Sequence, residues 1–315
     1  MPLMASTRSP RKPRAALVLD AGSSSDGRIA APVPVVEPLA NLLAAPGPGL
    51  ADRLLPQGAA IQYAALSTTA AARPHNEDRW QVAAEAGLLA VADGMSGYNA
   101  GEVAAELAVQ TACQLVPDLI VRGLAPAEAL ARAIGACNDE IREFASANPE
   151  CHGMATTLVC ALIAGDRLHL AHVGDSRAYL LRDGRLQRLT RDHSIGQQIV
   201  EAGRLTEGQV HELPARGILT RAVGLADTIE PELEACSWQA DDTLILCSDG
   251  LTTALTDPVI EHLLIEAAAL GPAGQVRALI GGALQTGVLG NVTALVAVPC
   301  DRGAARLGSD AERTH

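Results

Sequence analysis

Aromatic residues and lysine are scarce in this chain of 315 residues. Aromatic side chains make up 2% of the sequence, and Lys12 is its single lysine. Because 48% of the residues are nonetheless hydrophobic, a folded core must be packed from Ala, Leu, Val and Ile. The net charge of −12 and the pI of about 5.1 exclude the basic face of a protein that binds nucleic-acid phosphates.

Patterns typical of thiolate metal sites and of membrane spans are also missing. The seven cysteines include no Cys-x-x-Cys pair, and we interpret them as reduced core residues. No run approaches the roughly 18 apolar residues that span a bilayer. The apolar run at residues 15–19 is too short for a signal peptide. We therefore expect a cytoplasmic monomer without a membrane span.

Composition divides the chain into three parts. Residues 1–57 are rich in Pro, Ala, Gly and Ser, which predicts a disordered N-terminal tail. Residues 58–300 carry the periodic apolar segments of one folded domain, and residues 301–315 form a charged C-terminal tail.

Apolar spacing within the domain predicts both helices and antiparallel strands. Apolar residues recur at helical spacing from Leu130 to Phe144, which indicates one buried stripe. Gly165-Asp166 and Asp183-Gly184 separate apolar segments in the manner of β-hairpins. Hairpins on both sides of paired helices predict an α+β fold in layers rather than a parallel βαβ fold.

Two Asp-Gly pairs each follow a short apolar run. The run at residues 88–92 ends in Asp93-Gly94, and a second run ends in Asp249-Gly250. A single Asp-Gly is a common turn pair. Two copies behind buried strands instead suggest carboxylates that converge on one hard cation, since such cations prefer oxygen ligands.

Eight short segments, in this order, resemble the metal-dependent Ser/Thr protein phosphatases of type 2C (the PPM family) in their bacterial form. They are RPHNED (73–78), VADGMSG (91–97), GMATTL (153–158), VGDSR (173–177), LTRDHS (189–194), LTRAVG (219–224), CSDGL (247–251) and NVT (291–293). The resemblance covers residues 59–300. It implies a four-layer α-β-β-α sandwich of two antiparallel sheets flanked by helices, with two Mg²⁺ or Mn²⁺ ions at one end.

The resemblance also implies roles for individual residues. Asp93 is expected to bridge the two ions, with a backbone carbonyl from Gly94 and a further ligand from Asp249. Glu77 and Asp78 are expected to hold metal-bound waters.

Two further roles follow from the resemblance. Asp175 matches a ligand of a third, weaker metal, and Arg73 matches the arginine that orients the substrate phosphate. Residues 194–217 occupy the position of a mobile flap. The expected partners are phosphorylated Ser/Thr proteins and their cognate kinase.

Simpler interpretations of these residues remain open at the level of sequence. Arg73 also fits an ordinary solvated arginine, and Asp175 also fits a turn residue between two strands. His75 and His193 lie near the key segments, where each fits either a proton shuttle or a solvated or structural histidine.

The chain departs from the family pattern at one position. The last segment of the family has an Asp that binds one of the two core ions, and this chain has Gly290 there. One negative charge fewer is expected to weaken that metal. The sequence therefore supports an active phosphatase or, alternatively, a catalytically weak pseudophosphatase that binds a phosphoprotein or signalling partner.

Overall fold

The computed structural model describes residues 17–20, 61–69, 75–95, 100–211, 213 and 216–300. One six-stranded sheet has the order β1 (Leu17–Asp20), β2 (Ile61–Thr68), β12 (Val292–Pro299), β11 (Thr243–Cys247), β8 (Arg177–Arg182) and β9 (Arg185–Arg188). The other has the order β10 (Glu232–Ser237), β7 (Arg167–Val173), β6 (Leu158–Ala164), β4 (Leu88–Met95) and β3 (Asp78–Ala83), and β5 (Ala155–Thr156) pairs with β4.

Helices cover the outer face of each sheet. The second sheet carries α1 (Gly101–Val121) and α2 (Pro126–Ala147). The first sheet carries α5 (Asp249–Ala254), α6 (Asp257–Glu266) and α7 (Gly271–Gln285). Two short helices, α3 (Ile195–Glu201) and α4 (Glu207–His211), lie between β9 and β10 along the chain. The predicted four-layer sandwich of two antiparallel sheets flanked by helices is confirmed.

Three apolar clusters hold the four layers together, and β4 contributes to two of them. Leu88, Ala90 and Ala92 pack towards α1 and α2, whereas Leu89 and Val91 pack between the two sheets. Because successive side chains of a strand point to opposite faces, a strand buried on both faces is apolar at every position. This double burial explains the continuous apolar run that precedes Asp93.

The predicted helical stripe and the cysteine interpretation match the packing. Leu130, Ile134, Cys137 and Ile141 are buried against α1 and the second sheet. All seven cysteines are free thiols, five of them buried and two half-buried. The buried cysteines pack among aliphatic side chains, so they serve as the small apolar core residues that a chain poor in aromatic residues needs.

The strand β1 differs from the expectation of a disordered tail over residues 1–57. Its four residues pair in parallel with β2, from Leu17 opposite Ala64 to Asp20 opposite Ser67. This pairing joins segments more than forty residues apart, which local composition does not register. The rest of residues 1–57, and all of residues 301–315, lie outside the described residues.

One helix of the domain is long and apolar enough to cross a membrane. By length and composition α1 passes that test, and so does the bent pair formed by α6 and residues 268–285. In the fold, α1 packs against α2, β3 and β4. The core helix of a layered domain meets the same test, because its inward face must be apolar.

Candidate metal centre

Asp78 and Asp93 face each other on two paired strands. Asp78 is the first residue of β3, and its Cα is the ladder partner of Asp93 in β4. The Asp93 amide donates to Thr157 Oγ1 at 2.9 Å, and the Thr157 amide donates to the Asp93 carbonyl at 2.9 Å. Both carboxyl groups therefore project from one firmly hydrogen-bonded position of the second sheet.

Asp249 reaches the same point from the first sheet. β11 ends at Cys247, and Asp249 is the first residue of α5. Besides burial, the charge of Asp249 raises the pKa values of Asp93, Asp78 and Asp175, which places its carboxyl group beside theirs. The two Asp-Gly pairs, separated by more than 150 residues of sequence, thus meet across the sandwich.

Burial and mutual repulsion dominate the electrostatics of this cluster. Burial raises the pKa of Asp93 well above its ordinary value, and the charges of Asp78, Asp249 and Asp175 raise it further. Burial also raises the pKa of Asp78 to about 6, although hydrogen bonds from Ser248 and Thr293 oppose that shift. Carboxylates held this close together at neutral pH are stabilised by a bound cation.

Asp175 lies beside the cluster in the turn between β7 and β8. It is buried, and its pKa is raised well above the ordinary value by burial and then by the charges of Asp249 and Asp192. The preceding Gly174 has φ +102°, and a Cβ there would lie 2.6 Å from Thr157 Cγ2. Thr157 Oγ1 is also 2.7 Å from Ser176 Oγ, so one threonine contacts both the Asp93 backbone and the Asp175 turn.

Gly94 allows two other backbone segments to approach the cluster. A Cβ at Gly94 would lie 2.2 Å from the Gly101 carbonyl oxygen and 2.7 Å from the Glu77 carbonyl oxygen. The Gly94 amide donates to the same Glu77 oxygen at 3.2 Å. Only glycine fits here, and it brings Glu77 next to the paired aspartates.

The segment that lacks the family's last carboxylate is still attached to the site. In the orientation that satisfies both ends of its amide, Asn291 accepts from the Glu77 amide at 2.7 Å and donates to the His75 carbonyl at 3.3 Å. Apart from its two chain neighbours, no described residue places an atom within 4 Å of the position that a Cβ at Gly290 would take. A larger residue therefore fits at position 290 without a clash.

The donor set of the cluster fits a hard divalent cation. Asp78 Oδ1 is buried and has no hydrogen-bond partner among the residues that the structure describes, whereas Asp78 Oδ2 accepts from Ser248 and Thr293. A buried carboxylate oxygen without a donor is costly unless something else binds it. Carboxylate and carbonyl oxygens together are the ligands that Mg²⁺ and Mn²⁺ prefer.

A groove of about 280 Å³ opens beside Asp175 and Asp249. Its walls come from α3, α4 and the start of α6, and they include the charged residues Arg177, Arg188, Asp192, Glu207, Arg216 and Asp257. The groove therefore connects the carboxylate cluster with the predicted flap over residues 194–217, which carries the two short helices.

A second group of potential ligands lies behind the Asp175 turn. His172, His193 and Glu232 bring their ligand atoms within 4.8 Å of one another, but the two imidazole rings are stacked at 18°. Lone pairs of nearly parallel rings do not converge on one ion. Arg221 also lies 3.3 Å from His193 Nε2, which opposes a cation there.

These contacts favour the structural interpretation of His193. Its Nδ1 accepts from the Gly174 amide at 3.2 Å, and its Nε2 lies 3.3 Å from Glu232. Burial, then the neighbouring His172 and Arg221, lowers the pKa of His193 to about 4. Both ring nitrogens are thus engaged away from the carboxylate cluster, while His75 is exposed.

The structure brings together most of the predicted site residues, and it adds others. Glu77, Asp78, Asp93, Gly94, Asp175 and Asp249 surround one point, whereas Arg73 lies outside the described residues. Sequence reasoning missed the hydroxyl groups of Ser67, Ser248 and Thr293. For Ser248 and Thr293 the available signal was their place within the matched segments CSDGL and NVT, whereas Ser67 lies outside every matched segment.

Comparisons with known proteins agree with this geometry. Residues 70–275 match the family model described as "Protein phosphatase 2C". The serine/threonine protein phosphatase PstP of Mycobacterium tuberculosis is 40% identical over 238 residues, which is 75% of this chain but only 45% of the relative's length. The serine/threonine phosphatase stp of Listeria monocytogenes is 36% identical over 199 residues, 61% of this chain and 78% of that protein.

A solved structure shares the whole domain. The crystal structure of the catalytic domain of PstP in complex with 2 manganese ions has a TM-score of 0.69 and 38% sequence identity to this chain. The match covers 76% of this chain and 99% of that one. With a family model matched over more than half of its length, the chain belongs to the protein phosphatase 2C family.

Proposed function

We propose that this protein is a metal-dependent phosphoprotein phosphatase that hydrolyses phospho-Ser/Thr. The observation that carries the proposal is the convergence of Asp78 and Asp93, on the second sheet, with Asp249, which follows β11 of the first sheet. At this buried point Asp78 Oδ1 has no partner within the described part of the chain. The family name and the manganese bound by the PstP catalytic domain support the same activity.

Each residue has a stated task in this proposal. Asp93 and Asp249 hold two Mg²⁺ or Mn²⁺ ions, with the Gly94 carbonyl as a further ligand. Glu77 and Asp78 hold and orient water at the site. When bound, the ions supply an activated water and neutralise charge on the phosphoryl oxygens.

Two further assignments complete the site. Asp175 holds a third, weaker ion beside Asp249, since their charges already interact across a short distance. Arg73 orients the substrate phosphate through its planar guanidinium group. The substrates are proteins that a cognate kinase has phosphorylated on Ser or Thr. The seven free thiols support a reducing, cytoplasmic location.

Gly290 supports a second candidate function. Because no carboxylate stands at that position, one core ion has a weaker ligand set, and turnover requires a high Mn²⁺ concentration. In the extreme case the protein is a pseudophosphatase that binds a phosphoprotein or signalling partner without hydrolysing it.

Hydrolysis of a small aryl phosphate and of a phosphoserine peptide, titrated with Mn²⁺, separates the two functions. We expect Mn²⁺-dependent turnover of both compounds by the wild type, and none above background by Asp93→Asn. A wild type that binds Mn²⁺ and yet hydrolyses neither compound would leave only the binding function.

A further inference from the structure

The two oxygens of the Asp78 carboxyl group have different surroundings. Oδ2 accepts from Ser248 Oγ at 2.7 Å and from Thr293 Oγ1 at 2.7 Å. Oδ1 is buried and accepts from no donor among residues 61–69, 75–95, 100–211, 213 and 216–300. Asp78 belongs to the second sheet, whereas Thr293 lies in β12 of the first sheet and Ser248 follows β11. The carboxylate is therefore held from one side by the opposite sheet.

A chain of hydrogen bonds fixes the direction of the Thr293 hydroxyl. Asn76 Nδ2 donates to Ser67 Oγ at 2.7 Å, and Ser67 Oγ lies 2.7 Å from Thr293 Oγ1. Each hydroxyl has one proton to donate. Since the Thr293 proton goes to Asp78, the Ser67 proton must go to Thr293, and all donors point towards the carboxylate.

The Ser248 hydroxyl is fixed in the same way. Its oxygen accepts from the Thr293 amide at 3.0 Å, so its proton remains for Asp78. Ser248 and Thr293 are fully buried, and the backbone adds a bond from the Ser248 amide to the Thr293 carbonyl at 3.1 Å. Water therefore does not compete for these donors.

We infer that Thr293 is a positioning residue that, with Ser248, turns Asp78 so that Oδ1 faces the metal centre. This inference rests on the proposed function. Two hydroxyl donors occupy Oδ2, which leaves the lone pairs of Oδ1 for a cation or for its bound water. Hydrogen-bond partners of metal-binding carboxylates fix ligand orientation in this way.

The inference gives the altered last segment a continued role at the site. Position 290 offers no carboxylate, but Asn291 still holds the backbone next to Glu77 and Thr293 still holds Asp78. The segment thus acts on the metal centre through hydrogen-bond donors even where its own ligand is missing.

Matched substitutions at position 293 test the inference by calorimetric titration with Mn²⁺. Thr293→Val keeps the shape of the side chain and removes the hydroxyl, whereas Thr293→Ser keeps the hydroxyl. We expect Thr293→Val to weaken Mn²⁺ binding by about 10- to 100-fold, the usual effect of losing an outer-shell partner. Thr293→Ser should restore binding close to that of the wild type.

Thermal unfolding of the metal-free variants separates positioning from general destabilisation. If Thr293→Val fails to fold, Ser67→Ala replaces it, because that change keeps the Thr293 hydroxyl and removes the neighbouring hydroxyl that links it to Asn76 and directs its proton. We expect Ser67→Ala also to weaken Mn²⁺ binding. Mn²⁺ affinity unchanged in the folded variant, or weakened equally by Thr293→Ser, would overturn the inference. A wild type that binds no Mn²⁺ would instead overturn the proposed function on which it rests.

Discussion

The unfolding free energy of the metal-free protein should fall as the pH rises from about 4 to about 7. Burial, with a contribution from the charge of Asp249, raises the pKa of Asp78 from 3.8 to about 6. Between these two pH values the folded protein keeps a proton that the unfolded chain has lost, so stability falls with rising pH. This stabilisation is fully present below the pKa of Asp78 in the unfolded chain. It is lost as the pH rises through the pKa of Asp78 in the folded protein.

The size of this effect follows from the shift. A difference of about two pH units, at about 1.4 kcal/mol per unit, corresponds to about 3 kcal/mol from Asp78 alone. Asp93 and Asp175 have pKa values raised in the same direction, also chiefly by burial. Their contributions have the same sign and add to the loss of stability as the pH rises.

Urea unfolding in the presence of a chelator, followed by tryptophan fluorescence between pH 4 and pH 7.5, measures this loss. Asp78→Asn should remove about 3 kcal/mol of the pH-dependent decrease, since its amide does not titrate. The matched control is Asp241→Asn, which removes one negative charge at an exposed position and should leave the decrease intact. Parallel pH profiles for the wild type and Asp78→Asn would refute the reasoning.

Two further predictions concern glycines of the site. Gly290→Asp should tighten Mn²⁺ binding at least about tenfold. Two unit charges 4 Å apart attract by about 4 kcal/mol at an effective dielectric constant of 20, and a tenfold change in affinity needs only part of that energy. The neutral Gly290→Asn serves as its control, and calorimetry that finds equal affinity for both would contradict the assignment. Gly94→Ala should lower the unfolding free energy by roughly 1–3 kcal/mol, because its Cβ would lie 2.2 Å from the Gly101 carbonyl oxygen. Gly290→Ala, with open space around its Cβ, should unfold in urea like the wild type.

The carboxylates of the site can be predicted from the sequence for a physical reason. A strand buried on both faces has a continuous apolar run, so the first acidic residue after that run stands near the end of the strand, as Asp93 does in β4 and Asp249 does two residues after β11. Turn glycines beside them mark close approach of the backbone. These local signals are sufficient to locate the acidic cluster.

The hydroxyl groups that hold the Asp78 carboxylate could not be predicted from local sequence in this way. Ser248 and Thr293 meet Asp78 only because the two sheets pack face to face, and Ser67 meets Thr293 through the pairing of β2 with β12. These contacts span 170 to 226 residues of sequence. Serine and threonine are common in strands and turns, so residue type alone does not separate these three from others. The parallel pairing of β1 escaped prediction for the same reason, since it depends on contacts remote in sequence.

The account as a whole depends on oxygen ligands from both sheets holding a pair of divalent ions. Calorimetric titration of Mn²⁺ into the wild type, Asp93→Asn and Asp249→Asn counts those ions directly. We predict at least two Mn²⁺ per wild-type chain, with at least one fewer in each variant. A wild type that binds no Mn²⁺, or variants that bind as many ions as the wild type, would contradict the account.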